Sequence, residues 1–259
     1  MSHLQKTALV TGASSGMGLE FARQLAAKGY ALFIVSNQEK ELADAAANLR
    51  TESGVPIQSL CIDLAQHGIA EKVLAWCPSP DVLINNAGIF FMEYLGPENL
   101  PKVRTMMALH METVTELCIL AGTQMKEKGG GRILNISSMT ARIPAPGIAI
   151  YSATKAYLKS FGKSLSYEFR PFGVTVTTVC PAAVDTGLYP LPDRLRGFLR
   201  RIGLIRTPEW LVRRSLKAMF HGRRTFSPGL TNAILPPLIA LLPARLIDRR
   251  GLKWIRKDS

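Results

Sequence analysis

Through its first 180 residues this chain alternates short apolar runs with longer stretches of helical spacing. The runs TALVT (7–11), ALFIV (31–35), PIQSLCI (56–62), VLIN (82–85), RILNIS (132–137) and VTVTTVC (174–180) read as strands. They are too short for core helices, rich in β-branched residues, and apolar at consecutive positions, as strands buried on both faces must be. The stretches between them, such as Glu39–Arg50 and Tyr151–Arg170, place charges and alanines at helical spacing. This order predicts an α/β fold: a single-domain, doubly wound parallel sheet with helices on both faces and a helical C-terminal extension. Residues 1–190 would form the core, and residues 191–259 a lid and extension of the same domain. A chain of 259 residues is within reach of one such domain. Ligands of these sheets bind beyond the carboxyl ends of the strands, so the residues just after each run are the ones to inspect.

After the first run comes Thr11-Gly12-Ala13-Ser14-Ser15-Gly16-Met17-Gly18, and then the helical LEFARQLAAKG. Glycines at a strand-to-helix turn let backbone N–H groups approach a pyrophosphate, and the helix N-terminus favours negative charge. The spacing is Gly-x-x-x-Gly-x-Gly, not the Gly-x-Gly-x-x-Gly of the standard dinucleotide fingerprint. The same residues also spell Gly12-x-Ser14-x-Gly16, a hydrolase nucleophile elbow. That reading needs an acid and a histidine downstream. His221 is the best late histidine, no acid is marked, and the elbow explains none of the later motifs.

Tyr151 and Lys155, four apart in a helical stretch, lie on one face one turn apart. An ammonium beside a phenol stabilises phenolate, which tunes the tyrosine to exchange a proton with an alcohol or ketone near neutral pH. Ser138, thirteen residues before Tyr151 and at a strand end, could hydrogen-bond the same oxygen.

The glycine loop, Asn85-Asn86-Ala87-Gly88 after the fourth strand, Ser138, Tyr151-x-x-x-Lys155 and Pro181 after the sixth strand occur in one order. Over residues 5–190 this combination resembles the short-chain dehydrogenase/reductase family, whose fold is Rossmann-like. The resemblance implies an NAD(P)-dependent oxidoreductase that interconverts a carbonyl and an alcohol by hydride transfer. It implies Tyr151 as general acid in reduction, Lys155 as the group that tunes it and holds the nicotinamide ribose, and Ser138 as the orienter of the substrate oxygen. Gly12, Ser14, Ser15, Gly16, Met17 and Gly18 would form the pyrophosphate turn. Asp63, with Leu64, would meet the adenine; its other reading is a helix cap. Asn85, Ala87 and Gly88 would pass the adenine-side ribose, and Pro181, Val184 and Thr186 would flank the nicotinamide carboxamide. Where the family places an asparagine that holds a water on the proton path, this chain has His110. It is either a substitute relay or a packed histidine. Ala182 stands where glycine often follows the proline. At the end of the second strand, Ser36 and Asn37 provide neither the acid that selects NAD nor the usual arginine. With the repulsion of a 2′-phosphate missing and Lys40 nearby, NADP is the expected cofactor over NAD.

Charge is unevenly distributed. Residues 1–193 balance 16 Lys and Arg against 16 Asp and Glu, so the whole net charge of +13 falls within residues 194–259. Leu188–Arg206 reads as an apolar lid, which suggests a lipophilic substrate: steroid-like, acyl or aromatic. Thr207-Pro208-Glu209 is a helix start. Residues 225–244 hold no charge, but Pro228, Pro236, Pro237 and Pro243 argue against a spanning helix. Flanked by arginines and lysines, this segment suits an anionic membrane interface, a dimer contact or a wall of the substrate mouth. No nucleic-acid module accompanies the charge, and no Cys/His cluster has metal spacing. Cys61, Cys77, Cys118 and Cys180 are expected as buried thiols in a reducing compartment, and the N-terminus lacks a signal-peptide run. The expected setting is the cytoplasm, or the inner face of a membrane, as a homodimer or homotetramer.

Overall fold

The computed structural model describes residues 5–143, 146–185, 197, 205–229, 232, 234, 236, 238, 239 and 241. Strands β1 (Thr7–Thr11), β2 (Ala31–Ser36), β3 (Ile57–Cys61), β4 (Val82–Asn85), β5 (Gly131–Ile136), β6 (Val174–Val179) and β9 (Thr225–Phe226) form a seven-stranded sheet. Its order is β3-β2-β1-β4-β5-β6-β9, and every pairing is parallel. All six runs read from the sequence are strands, each within a residue of its expected ends. A second, two-stranded pairing joins β7 (Ala183–Val184) to β8 (Ile205–Arg206).

Because side chains alternate across a strand, the apolar runs feed two cores. Ala8, Val10, Ile34, Ile84 and Val179 face one side, under α1 (Gly16–Ala26), α2 (Glu39–Ser53) and the late helix α7 (Pro208–Phe220). Leu9, Val35, Leu83, Ile133 and Val176 face the other, under α3 (Ile69–Trp76), α5 (Thr113–Glu127) and α6 (Ala149–Phe169). Helix α4 (Leu100–Met107) runs into α5 through a π-helical turn at Ala108–Glu112. β1 sits at the centre, between β2 and β4, where the winding reverses. The carboxyl ends of β1 and β4 therefore open the crevice in which such a sheet binds ligands.

The C-terminal region departs from expectation. Helix α7 starts as read, with Thr207 Oγ1 accepting from Trp210 N at 3.4 Å and Pro208 at the first position. However, Thr225 and Phe226, the first residues of the uncharged segment, pair with Thr178 and Val179 and extend the sheet. Two residues have no periodicity to read; the strand exists because β6 presents an open edge. Asn232 is fully buried and donates from Nδ2 to Cys180 O (2.7 Å) and Pro228 O (3.1 Å). Among the described residues no helix is long and apolar enough to cross a membrane. The apolar lid expected over Leu188–Arg206 lies outside the described residues, apart from residue 197 and β8.

Candidate active site

The glycine turn is built as the sequence requires. A Cβ on Gly18 would run into the carbonyl oxygen of Gly12, and Asn86 Nδ2 would lie within 2.6 Å of it. Only glycine lets α1 begin so close under the loop, and the surface left bare is main chain. Asn86 holds this loop by donating from Nδ2 to Thr11 O (3.1 Å) and Gly12 O (3.2 Å). Thr11 Oγ1 accepts from the backbone N–H groups of Asn86 and Ala87 and so ties β1 to the turn after β4. The resulting cleft, of about 580 Å³, is lined by Gly12, Ser14, Ser15, Gly16 and Met17 of the turn. Asn37 and Gln38 after β2, Asp63 and Leu64 after β3, and Ala87 and Gly88 after β4 complete it. A pyrophosphate-bearing dinucleotide fits such a cradle: bare backbone N–H groups at a helix N-terminus, with room that any Cβ would fill.

Of the expected cofactor contacts, one is not at the cleft. Asn85 does not line the cleft. Its side chain lies inside the sheet, where Nδ2 donates to Asn135 Oδ1 on the adjacent strand (2.8 Å) and to Cys118 Sγ (3.3 Å). A strand turns alternate residues to opposite sides, so Asn86 takes the cleft position instead. Ser36 does line the cleft, yet its hydroxyl is engaged: it donates to Ser14 Oγ (2.9 Å) and accepts from Gln38 N (3.2 Å). Asp63 meets both of its readings, lining the cleft while Oδ1 accepts from Ala65 N at 2.9 Å. Thr186 lies outside the described residues. The hydrolase elbow finds no partner. Ser14 bonds Ser36, whereas the His221 ring sits against Lys217 O at 2.7 Å and lines a separate groove.

A second cleft continues from the first and shares Met17, Asn86, Gly88 and Ile89 with it. Here Ser138, Tyr151, Lys155, His110, Pro181 and Val184 converge. Tyr151 and Lys155 project from the first two turns of α6, with Lys155 Nζ 5.6 Å from the centre of the Tyr151 ring. Lys155 is 4% exposed and donates to Ile136 O at 3.0 Å. Ser137 Oγ in turn donates to Lys155 O (2.6 Å) and fixes the helix against β5. Burial brings the Lys155 ammonium down from its ordinary 10.5 to about 8. Ser138 caps a short 3₁₀ turn, Met139–Arg142, and its Oγ accepts from Thr140 N at 3.2 Å. That bond occupies a lone pair and leaves the hydroxyl hydrogen for a bound oxygen.

His110 occupies the π-helical turn and is fully buried. Thr154 Oγ1 donates to Tyr151 O (2.9 Å), so it receives the Nδ1–H of His110 at 3.0 Å. Nε2 then accepts from Ile89 N at 3.0 Å. Burial, reinforced by the Lys155 charge, lowers the imidazole well below its usual range and keeps it neutral. Of the two readings of His110, the geometry corresponds to the packed one: both ring nitrogens are engaged, and the ring clamps the loop after β4 onto α6. Gly88 makes room for it, since a Cβ there would lie 2.9 Å from Nε2. Asn86, Ile89, Ser137 and Thr154 escaped the sequence reading. The first and last were visible inside the Asn85–Gly88 and Tyr151–Lys155 motifs, but only their tertiary bonds give them a task.

The four cysteines are free; Cys77, Cys118 and Cys180 are buried as expected, but Cys61 is exposed at the end of the edge strand β3. Although no metal site was read from spacing, the fold brings the exposed side chains of His67 and Glu112 together with Glu116, all ligand atoms within 4.8 Å of one another. His67 Nδ1 hydrogen-bonds Glu112 Oε1 there, which raises the imidazole above its ordinary value.

Comparison with known proteins agrees with this geometry. The family model for short chain dehydrogenases matches residues 6–190. Very-long-chain 3-oxoacyl-CoA reductase-A of Danio rerio is 31% identical over 191 residues, which cover 71% of this chain and 59% of that protein. Very-long-chain 3-oxoacyl-CoA reductase-B of the same species is 30% identical over 260 residues, covering 96% and 79%. The structure of a short-chain dehydrogenase from Sphingobium yanoikuyae in complex with NADPH superposes with a TM-score of 0.76 at 27% identity, covering 92% of this chain and 96% of that one. The glycine cradle, the convergent Ser138, Tyr151 and Lys155, and these similarities have one common explanation: the chain belongs to the short-chain dehydrogenase family.

Proposed function

We propose that this protein is an NADP-preferring reductase of lipophilic carbonyl compounds, of the long-chain 3-oxoacyl or steroid kind. The observation that supports the reading is the sharing of Met17, Asn86, Gly88 and Ile89 between the glycine-turn cleft and the cleft lined by Ser138, Tyr151 and Lys155. The bound nicotinamide would supply the hydride. The chain's own residues handle the proton. The Tyr151 hydroxyl donates it to the substrate oxygen, Ser138 donates a hydrogen bond to the same oxygen, and the Lys155 ammonium stabilises the phenolate left behind. Lys155 retains that charge below about pH 8.

The preference for NADP rests on the end of β2. Ser36, Asn37 and Gln38 line the cleft there without an acid to repel a 2′-phosphate. A lipophilic substrate agrees with the walls around the catalytic groups. Ile89, Ala182 and Val184 line the cleft, and Phe90 packs edge-on against the Tyr151 ring at 5.0 Å. The names of the two zebrafish relatives point the same way. Self-association is part of the reading: Met107 and Ile119 leave apolar surface exposed on α4 and α5, a face a second copy could cover.

The test is Tyr151→Phe. Turnover of NADPH with 3-oxoacyl, steroid and quinone carbonyls should vanish while NADPH binding, read by fluorescence titration, persists. Retained turnover refutes the assignment. A sedimentation-velocity run on the wild type reads the oligomer.

A further inference from the structure

Of the basic residues in 194–259 that the structure describes, Arg213, Arg214, Lys217 and Arg223 line one groove. The outer face of α7 carries Arg213, Arg214 and Lys217, all exposed. It borders a groove of about 860 Å³, which Lys28 reaches from beyond the end of α1 and Arg223 from the turn before β9. Among the described residues, no acidic side chain lines this groove. Among the described residues, none of these five cations takes part in an ion pair. Glu20 of α1 is buried and held by Arg23 and Gln24. Arg213 and Lys217 stand four apart and Arg214 and Lys217 three apart, spacings at which like charges weaken a helix. The groove floor is aromatic, with Lys28 Nζ 5.8 Å from the Phe220 ring centre and Arg223 Cζ 5.9 Å from that of Phe226.

A second observation lies further along the chain. Gly229 begins the chain beyond β9 beside Trp210 of α7, close enough that a Cβ on it would be 4.0 Å from the indole. Residues 232, 234, 236, 238 and 239 have helical backbone. Ile234 and Leu238 stand four apart on one helical face, Leu241 follows in a turn, and they are 47%, 55% and 80% exposed. Asn232 and Pro236, at other positions of the same stretch, are buried.

We propose that this edge of the molecule docks on a bilayer containing anionic phospholipid. Lipid phosphates would meet Lys28, Arg213, Arg214, Lys217 and Arg223, and Ile234, Leu238 and Leu241 would enter the interface. Cations without ion-pair partners and an exposed apolar stripe are the two components of interfacial binding. A nucleic acid would satisfy the cations but leave the stripe in water. A second copy placed on the same face would set like charges against each other. The proposal does not depend on the carbonyl-reductase reading, so the Tyr151→Phe protein should dock as well as wild type, whether or not that substitution abolishes turnover.

The experiment is sedimentation of the full-length protein with vesicles of phosphatidylcholine alone and of phosphatidylcholine with about a quarter phosphatidylglycerol. Binding is expected to the anionic vesicles only and should fall away at high salt. Each basic side chain near the surface contributes about fivefold, so Arg213→Ala/Lys217→Ala should weaken partitioning about twenty-five-fold. Leu238→Asp should weaken it further while NADPH binding and thermal unfolding stay as in wild type. Equal sedimentation with both vesicle types, or wild-type partitioning by these variants, overturns the proposal. Leu238→Asp dissociating an oligomer on a sizing column with vesicle binding intact would assign the stripe to a second copy and overturn it. Tighter binding of a DNA duplex than of anionic vesicles, lost in the same arginine–lysine variant, would also overturn it.

Discussion

Lys155 gives the most quantitative test of the site. Its ammonium is buried, and among the described residues no carboxylate pairs with it. The folded-state value of about 8, against an ordinary 10.5, makes burial of the charge cost roughly 3 kcal/mol at pH 7. Between these two values the unfolded chain binds more protons than the native one, so stability must rise with pH. The cost is complete below about pH 8 and disappears as pH approaches 10.5. Integrated from pH 7 to pH 9, the recovery is about 1.3 kcal/mol, or roughly 3 °C in Tm for a chain of this size. The clean comparison is Tyr151→Phe against Tyr151→Phe/Lys155→Met, so that no phenol titrates in the same window. Melting curves of the two proteins without cofactor, taken at pH 7 and pH 9, should converge or diverge by that amount in favour of the lysine-containing chain at the higher pH. A difference that does not change with pH would mean that the ammonium is hydrated, and the tuning argument for Tyr151 would lose its basis.

Other outcomes follow from the same geometry. In wild type, reduction should lose kcat/KM as pH rises through about 8, where Lys155 sheds its proton; a flat profile up to pH 10 would contradict this. Because His110 is neutral and both its ring nitrogens are engaged, the pH–rate profile should show no inflection belonging to it. His110→Ala should destabilise the fold by about 2–4 kcal/mol, from a cavity plus two broken buried hydrogen bonds, read by urea unfolding. An inflection near pH 6.5 that disappears in His110→Ala would instead restore the relay reading. Asn37→Asp places an acid at the cofactor cleft after β2, and the ratio of kcat/KM for NADPH to that for NADH should fall about tenfold or more. An unchanged ratio would place the 2′-phosphate elsewhere.

The sequence alone determined the architecture, for a local reason. Parallel strands covered on both faces must be apolar at consecutive positions, and this pattern is visible in runs such as ALFIV and VLIN without any knowledge of their neighbours. It determined the glycine turn for the same reason, since Gly12, Gly16 and Gly18 are demanded by the backbone. It also placed Tyr151 and Lys155 on one helical face by spacing. What a residue does across the chain was not legible. Asn85 and Asn86 are identical in type and adjacent, and only the direction of β4 decides that one bonds Asn135 inside the sheet while the other holds the cofactor loop. The role of His110 depended on Ile89 and Thr154, residues 21 and 44 positions away. The two-residue strand β9 exists only because β6 has an unpaired edge to offer. Local chemistry is printed in a sequence; partners distant along the chain are chosen by tertiary packing.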